Sequence, residues 1–351
     1  MLFNKLLRVI RKHLTEVTWF ALIALLIFHA GLSWLLLIAS GETALTTHDS
    51  FLYYYVVTTS TVGYGDLSPE SYHGKLVVAL IQIPLGLALF GAFLGKLGQT
   101  VTRILRQVMT GEKDFRDYED HILIFGWHPL KTEKIISHIL GDNKRKVRKI
   151  LLCVTDDIEH PFADNAMVEF AKLKSLTADD ELLRVAAQRA DRVIVDADND
   201  DQSFTCALKL SSFVAHDCHI SVYFTDETKV EMLNKYTSNV ECNSSKTAEI
   251  LVRAMQDPGF SRLQEEMMST LKGSTQFSTQ IPFDIKAMKF EDMFIHFKRQ
   301  HNITLLAAAE DRLGKKMHLN PESDFEVKGG FILHYIGIER INADEINWAM
   351  I

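Results

Sequence analysis

The sequence predicts an α-helical membrane module of two spans, followed by a Rossmann-like α/β domain that ends in a small α+β lobe. Three observations predict it. Residues 17–39 and 76–97 are long apolar runs, and a helix of ~20 such residues crosses a hydrocarbon core of ~30 Å. A short apolar piece at residues 51–57 lies between them. From His121 onward, apolar strands alternate with helical stretches, which is the pattern of a parallel, doubly wound sheet. A chain of 351 residues suits two or three domains. The expected division is a membrane module at 1–100, a linker at 101–119, a Rossmann-like lobe at 120–260 and a C-terminal lobe at 261–351.

The first apolar run holds a single titratable residue, His29, and the second is broken only by Gln82 and Lys96. The first is too long for a signal peptide and is followed by a second span. The hydrophobic fraction of 47% conceals this concentration of apolar residues in the first hundred positions. The net charge of −7 sits mostly in the remainder and says nothing for nucleic-acid binding, so no nucleic-acid partner is expected. Cys153, Cys206, Cys218 and Cys242 form no CxxC pair, so a disulfide framework is not expected and a reducing cytosol fits.

Residues 51–57 are too few to span and read as re-entrant. Irregular backbone at membrane depth survives only where protein buries it or it lines a water-filled path. A span, a short helix at about 48–59, an irregular loop and a second span are therefore the plan of a pore. Basic residues set the orientation. Lys5, Arg8, Arg11 and Lys12 precede the first span, and Arg103 and Arg106 follow the second. The intervening segment carries Glu42, Asp49, Asp66 and Glu70 against the single Lys75. Both termini are expected in the cytoplasm of a cell bounded by this inner membrane.

The loop reads Thr58-Thr59-Ser60-Thr61-Val62-Gly63-Tyr64-Gly65-Asp66. A potassium ion must shed water to pass a narrow pore, and rings of backbone carbonyls can replace that water. Successive carbonyls face one axis when left- and right-handed conformations alternate, and Gly63 and Gly65 adopt the left-handed one without a Cβ penalty. Thr61 would add a hydroxyl ring, and Tyr64 would brace the loop against the short helix. The C-terminal dipole of that helix favours a cation. Thr61-Val62-Gly63-Tyr64-Gly65 is the pentapeptide of known potassium filters, so this step is recognition of a motif.

With Ser68-Pro69 following, the sequence resembles the two-transmembrane prokaryotic potassium channels that carry a C-terminal RCK (regulator of K+ conductance) domain. The resemblance implies a homotetramer in the lipid bilayer, with K+ in a filter of Thr61, Val62, Gly63, Tyr64 and Gly65, and no enzymatic activity. It also implies a gating hinge in the second span, where Gly86 falls close to the family's place and Pro84 departs from it. Gly86, Gly91 and Gly95 equally suit close helix packing. The likeness to an RCK domain covers about residues 120–341, including Asn320-Pro321 and 328–333 in the small lobe. It implies a cytoplasmic ring whose response to ligand opens the pore. The family's rings hold eight such domains, so soluble copies from an internal start at Met109 are one expectation and an ordinary linker methionine the other.

Two ligands are considered. A G-x-G-x-x-G fingerprint would need glycines where Gly126, His128 and Lys131 stand. Gly126, Trp127, His128 and Lys131, with Asp156 or Asp157 for ribose hydroxyls, are the candidates for NAD(H) or an adenine nucleotide; an empty pocket is the alternative. Thr155 takes the family's usual acidic place, and Lys174-Ser175 stands near its Gly-Asp pair. For Ca2+, Asp196 and Asp198 are the metal candidates. The turn lacks EF-hand spacing, since Asp201 stands at position six and Ala207 at position twelve. A constitutively open or non-selective cation channel would predict loss of Tyr64 or Gly65. A membrane-anchored NAD-dependent enzyme would predict a complete fingerprint.

Overall fold

The computed structural model describes residues 18–142 and 144–351. Lys5, Arg8, Arg11, Lys12 and Val17 lie outside the described residues. The chain divides into two compact units, with the boundary between Gln107 and Val108.

In the N-terminal unit, α1 (Trp19–Ala39) starts at Thr18, whose hydroxyl accepts the Ala21 N–H at 3.2 Å. The short helix α2 (His48–Thr59) has the expected bounds. Then α3 (Tyr72–Val77), a π turn (Val78–Gln82) and α4 (Ile83–Met109) form one continuous 38-residue helix. The π turn has a local cause. Pro84 has no N–H for the Leu80 carbonyl four residues earlier, and a helix short of a donor widens there. This helix runs to Met109, through the first half of the stretch expected as linker. Only 22% of the most apolar window of α1 and 17% of that of the second helix is buried within the chain. A helix from a soluble core would be mostly buried, so these are two membrane spans. Leu37, Leu45, Tyr54 and Val78 form the small core that seats α2 between the spans.

In the C-terminal unit, β1 (Ile122–Phe125) is followed by α5 (Pro129–Gly141), β2 (Ile150–Val154) and β3 (Val168–Lys172). After these come α6 (Asp179–Arg184), β4 (Arg192–Val195), α7 (Asp200–Phe213), β5 (His219–Phe224), α8 (Glu227–Tyr236) and β6 (Val240–Ser244). The six strands are all parallel in the order β3-β2-β1-β4-β5-β6. Leu123 and Phe125 join one buried cluster with α7, while Ile122 and Ile124 join the other with Ile136 of α5. Strands covered on both faces are apolar throughout, which is why β1 and β2 were visible in sequence. Helix α6 stops at Arg184, because Ala186 turns left-handed at φ 50°.

Helices α9 (Thr247–Gln256) and α10 (Phe260–Met268) have no buried residue. The small lobe comprises β7 (Thr275–Gln280), β8 (Met288–Lys289), α11 (Phe290–His301), β9 (Thr304–Ala309), β10 (Met317–Leu319), β11 (Glu326–Val327) and β12 (Ile332–Gly337). Its main sheet, β10-β9-β12-β7, is antiparallel and packs on α11 through Phe277, Met293, Phe297, Leu333 and Tyr335. The doubly wound sheet and the small α+β lobe are both as the sequence predicts.

Candidate functional site

The loop after α2 has an alternating backbone. Thr61, Gly63 and Gly65 lie at φ 66°, 56° and 79°, with Val62 and Tyr64 outside that region. Two glycines meet this demand freely. Thr61 does not, and a left-handed residue with a Cβ costs about 1–2 kcal/mol. The amides of Val62 and Gly63 both donate to the Val57 carbonyl at 3.1 Å. The loop thus closes the C-terminus of α2 with its N–H groups. Among the described residues no hydrogen bond is made to the carbonyls of Thr61 to Gly65. Tyr64 is 72% exposed in the single chain. The strut between helix and loop is instead Tyr53, whose hydroxyl donates to Asp66 at 2.8 Å; sequence reading missed this pair, although both residues flank the motif.

Behind the loop, α2 is held by buried polar contacts. His29 Nδ1 meets the Tyr55 hydroxyl at 2.7 Å, and the Tyr54 hydroxyl donates to Gln82 at 3.3 Å. Gly86 is where α4 meets α2. A Cβ there would stand 2.5 Å from Thr59 Cγ2 and 3.2 Å from His29 Cε1, so the residue must be small for the three helices to pack. Gly91 and Gly95 have nothing of their own chain within 4 Å.

The segment leaving α1 is fixed by Glu42, which is buried and accepts the N–H groups of Ser71 at 2.8 Å and Glu70 at 3.2 Å. Its side chain also fills the space that a Cβ on Gly74 would need. Burial pushes the Glu42 carboxyl up, but the hydrogen bonds from Ser71 and Glu70 and the Lys75 charge outweigh it and hold the carboxyl below its ordinary range. The sign follows. A depressed carboxyl contributes stability that is full above its unfolded value of about 4.3 and is lost as pH falls through the folded value. Thermal melts of detergent-solubilised protein should therefore fall as the pH drops below about 4, and Glu42→Gln should flatten that fall. Parallel acid profiles for the two proteins would contradict this.

In the C-terminal unit the strand order reverses between β1 and β4, the place where open α/β sheets bind ligands. Gly126 sits there at φ 108°, with its N–H donating to Cys153 O at 3.0 Å. A Cβ on it would overlap the Asp196 carbonyl and stand 2.9 Å from Ala197 Cα, so this glycine serves the close approach of two chain segments. Several of the donors a diphosphate would take are spent or missing. Pro129 opens α5 and has no N–H, and the His128 N–H donates to Thr132 Oγ1 at 3.0 Å. His128 Nε2 contacts Ala197 O at 3.2 Å. Lys131 pairs with Asp196 at 2.8 Å and lies over the Tyr223 ring at 4.1 Å. Trp127 packs edge-on against Phe162.

Three of the acidic residues here, Asp157, Asp200 and Asp201, are engaged by the chain itself. Asp157, which Lys172 holds below the ordinary carboxylate range, pairs with it at 2.5 Å, while Asp156 is half-buried. Asp200 accepts the amides of Thr225 and Asp226, and Asp201 pairs with Lys229. Asp198 is exposed. Among the described residues no group of three or more His, Cys, Asp or Glu is gathered as for a metal ion.

A cavity of about 390 Å³ opens beyond the carboxyl ends of β2 and β3. Thr155 and residues 174–177 line one side, and Asp201, Gln202 and Thr205 of α7 the other. Of these, Thr155, Lys174 and Ser175 were visible in sequence through their alignment with the resembled family. Gln202 and Thr205 carried no signal, since only the fold brings the first turn of α7 to this edge.

Residues 18–103 match a family model described as Ion channel. The N-terminal unit, with its two candidate membrane spans, is thus similar in sequence to ion channels, and a Rossmann-like domain follows it along the chain. No curated protein matches the chain. Among solved structures it is similar to the GsuK channel bound to NAD (16% identity, TM-score 0.43, covering 90% of this chain and 56% of that one). It is also similar to the human SLO3 gating ring (13%, 0.44, 62% and 44%) and to GsuK bound to ADP (20%, 0.39, 62% and 57%). The chain thus spans about half the length of these structures, and likenesses this distant carry no argument of their own.

Proposed function

We propose that this chain is one subunit of a homotetrameric, potassium-selective channel of the inner membrane, with both termini cytoplasmic and an RCK domain as its ligand-responsive part. The observation that carries the reading is the alternation of positive φ at Thr61, Gly63 and Gly65 in a loop whose carbonyls are left unclaimed. Four copies around an axis turn those carbonyls into rings that replace ion hydration. Each subunit supplies the filter Thr61–Gly65. The gating bend lies near Gly86 in the second span, a reading supported by the π turn and Pro84 just before it.

The cytoplasmic domains form a ring. Supporting it are the apolar faces of α9 and α10, where Leu251, Met255 and Leu263 are 66%, 72% and 59% exposed. The regulatory ligand sits in the carboxyl-edge cavity, where hydroxyls, an amide and Lys174 suit an adenine nucleotide, and where the lining carboxylate, Asp201, is already paired with Lys229. Gly126 and His128 shape the neighbouring loop and do not cradle phosphate.

The test is reconstitution in planar bilayers. The reversal potential should follow the potassium gradient and ignore sodium. Adding NAD, NADH, ADP, ATP or calcium to the inner side should change open probability for an adenine nucleotide. Equal sodium and potassium currents would overturn the filter reading; a response to calcium alone would overturn the choice of ligand.

A further inference from the structure

Arg184, the last residue of α6, gathers more main-chain acceptors than its place on a short helix requires. Its Nη1 donates to the carbonyls of Gly111 at 3.2 Å and Lys113 at 2.9 Å, and its Nη2 donates to the Lys172 carbonyl. Its own carbonyl accepts the Phe115 N–H at 2.9 Å. Gly111 is bonded from the sheet as well, by the Lys172 N–H at 3.0 Å, and is left-handed at φ 69° because a Cβ would press on Phe170. Phe115 is buried in the main core, and Lys113 pairs with Glu169 at 3.0 Å. Residues 111–115 are the stretch of chain that follows α4, and they are clamped to the edge of the sheet.

The same guanidinium is linked through Glu181 to a residue of the cavity wall. Its Nε donates to Glu181 Oε2 at 3.0 Å, and the second Glu181 oxygen accepts the Lys174 N–H at 3.2 Å. Glu181 is buried and Arg184 nearly so. Lys174 begins the loop that walls the cavity through Lys174, Ser175 and Thr177. One buried ion pair thus joins the cavity wall to the chain after α4, and a bidentate guanidinium holds direction as well as distance.

We infer that Glu181 and Arg184 are the coupling element that transmits movement of the cavity loop to residues 111–115, and so to the helix that precedes them. The physiological meaning rests on the proposal that the cavity is the regulatory site, since a ligand that favours one position of the 174–177 loop would then bias the clamp.

The experiment separates the two. Hydrogen exchange is followed by mass spectrometry on the full chain in detergent, with no ligand. Glu181→Gln places an amide N–H₂ against the guanidinium and touches nothing in residues 111–115. It should nevertheless speed exchange there roughly tenfold, together with residues 174–177, while β4 and β5 keep their protection. Arg184→Lys, which keeps the charge but loses the fork, should act on residues 111–115 alike. Unchanged protection of residues 111–115 in Glu181→Gln overturns the inference. Should Glu181→Gln loosen β4 and β5 as well, Arg184→Lys decides: protection of residues 111–115 equal to wild type overturns it. In bilayers, Arg184→Lys should bind a fluorescent ATP analogue as wild type does, yet shift open probability less. If wild type ignores every nucleotide, the ligand proposal fails while the exchange result still decides the coupling.

Discussion

Gly63→Ala should abolish potassium current while leaving the protein folded and assembled. The backbone at this position sits at φ 56°, where a Cβ costs about 1–2 kcal/mol per residue. In a homotetramer the cost falls four times on one ring, roughly 4–8 kcal/mol in total. The surrounding contacts do not over-determine the loop enough to absorb that: it is held mainly by two amides on Val57 and by the Tyr53–Asp66 strut. The cheaper outcome is for residue 63 to leave the left-handed region and turn its carbonyl off the axis. Single-channel recording on protein whose size in detergent matches wild type should show conduction reduced by about 100-fold or more, since each 1.4 kcal/mol is a factor of ten. Current at wild-type level would mean that the alternation of φ is incidental to conduction. Thr61 gives the internal comparison. It already carries the strain, at φ 66°, and strain of this kind persists at sites where function uses it. Thr61→Gly should therefore conduct, but with altered ion preference because a hydroxyl ring is removed.

How far the sequence could be read varies with how local the cause is. The bounds of α2 were legible because its own residues fix them, an aromatic run behind Thr47, and β1 and β2 were legible as apolar strands with both faces covered. Strands β3 and β6 were not. Their sequences, Val168-Glu169-Phe170-Ala171-Lys172 and Val240-Glu241-Cys242-Asn243-Ser244, are broken by charged or polar residues, because they are the edges of the sheet and only part of each is buried. The break of α6 at Arg184 was hidden too, since Val185, Ala186 and Ala187 are acceptable in a helix and only the tertiary setting sends Ala186 left-handed. In the candidate ligand site, the glycine-rich frame drew attention to Gly126, His128 and Lys131, and missed Pro129 between them. The side chains that line the cavity come from two separate loops and the first two turns of α7, so no spacing in the chain could announce them.

That leaves Gly126, which looked like the surviving member of a nucleotide fingerprint, and whose substitution has the second-largest expected effect. Gly126→Ala should destabilise the cytoplasmic domain with no ligand present. Residue 126 lies at φ 108°, where any side chain is strained, and the added carbon would overlap the Asp196 carbonyl. Neither neighbour can yield cheaply. Phe125 O accepts the Asp196 N–H at 2.8 Å and Gly126 N–H is tied to Cys153 O at 3.0 Å, so three central strands converge on this point. Backbone strain plus a forced shift at a buried junction costs about 3 kcal/mol or more. At roughly 2–4 °C per kcal/mol for a domain of this size, the melting temperature should fall by about 6–12 °C. A residue kept only to admit a phosphate would behave in the opposite way: melting of the ligand-free protein would be untouched and nucleotide affinity alone would suffer. Differential scanning fluorimetry of the full chain in detergent, without and then with ADP, separates the two. An unchanged ligand-free transition would return Gly126 to the ligand and remove the structural account given for it.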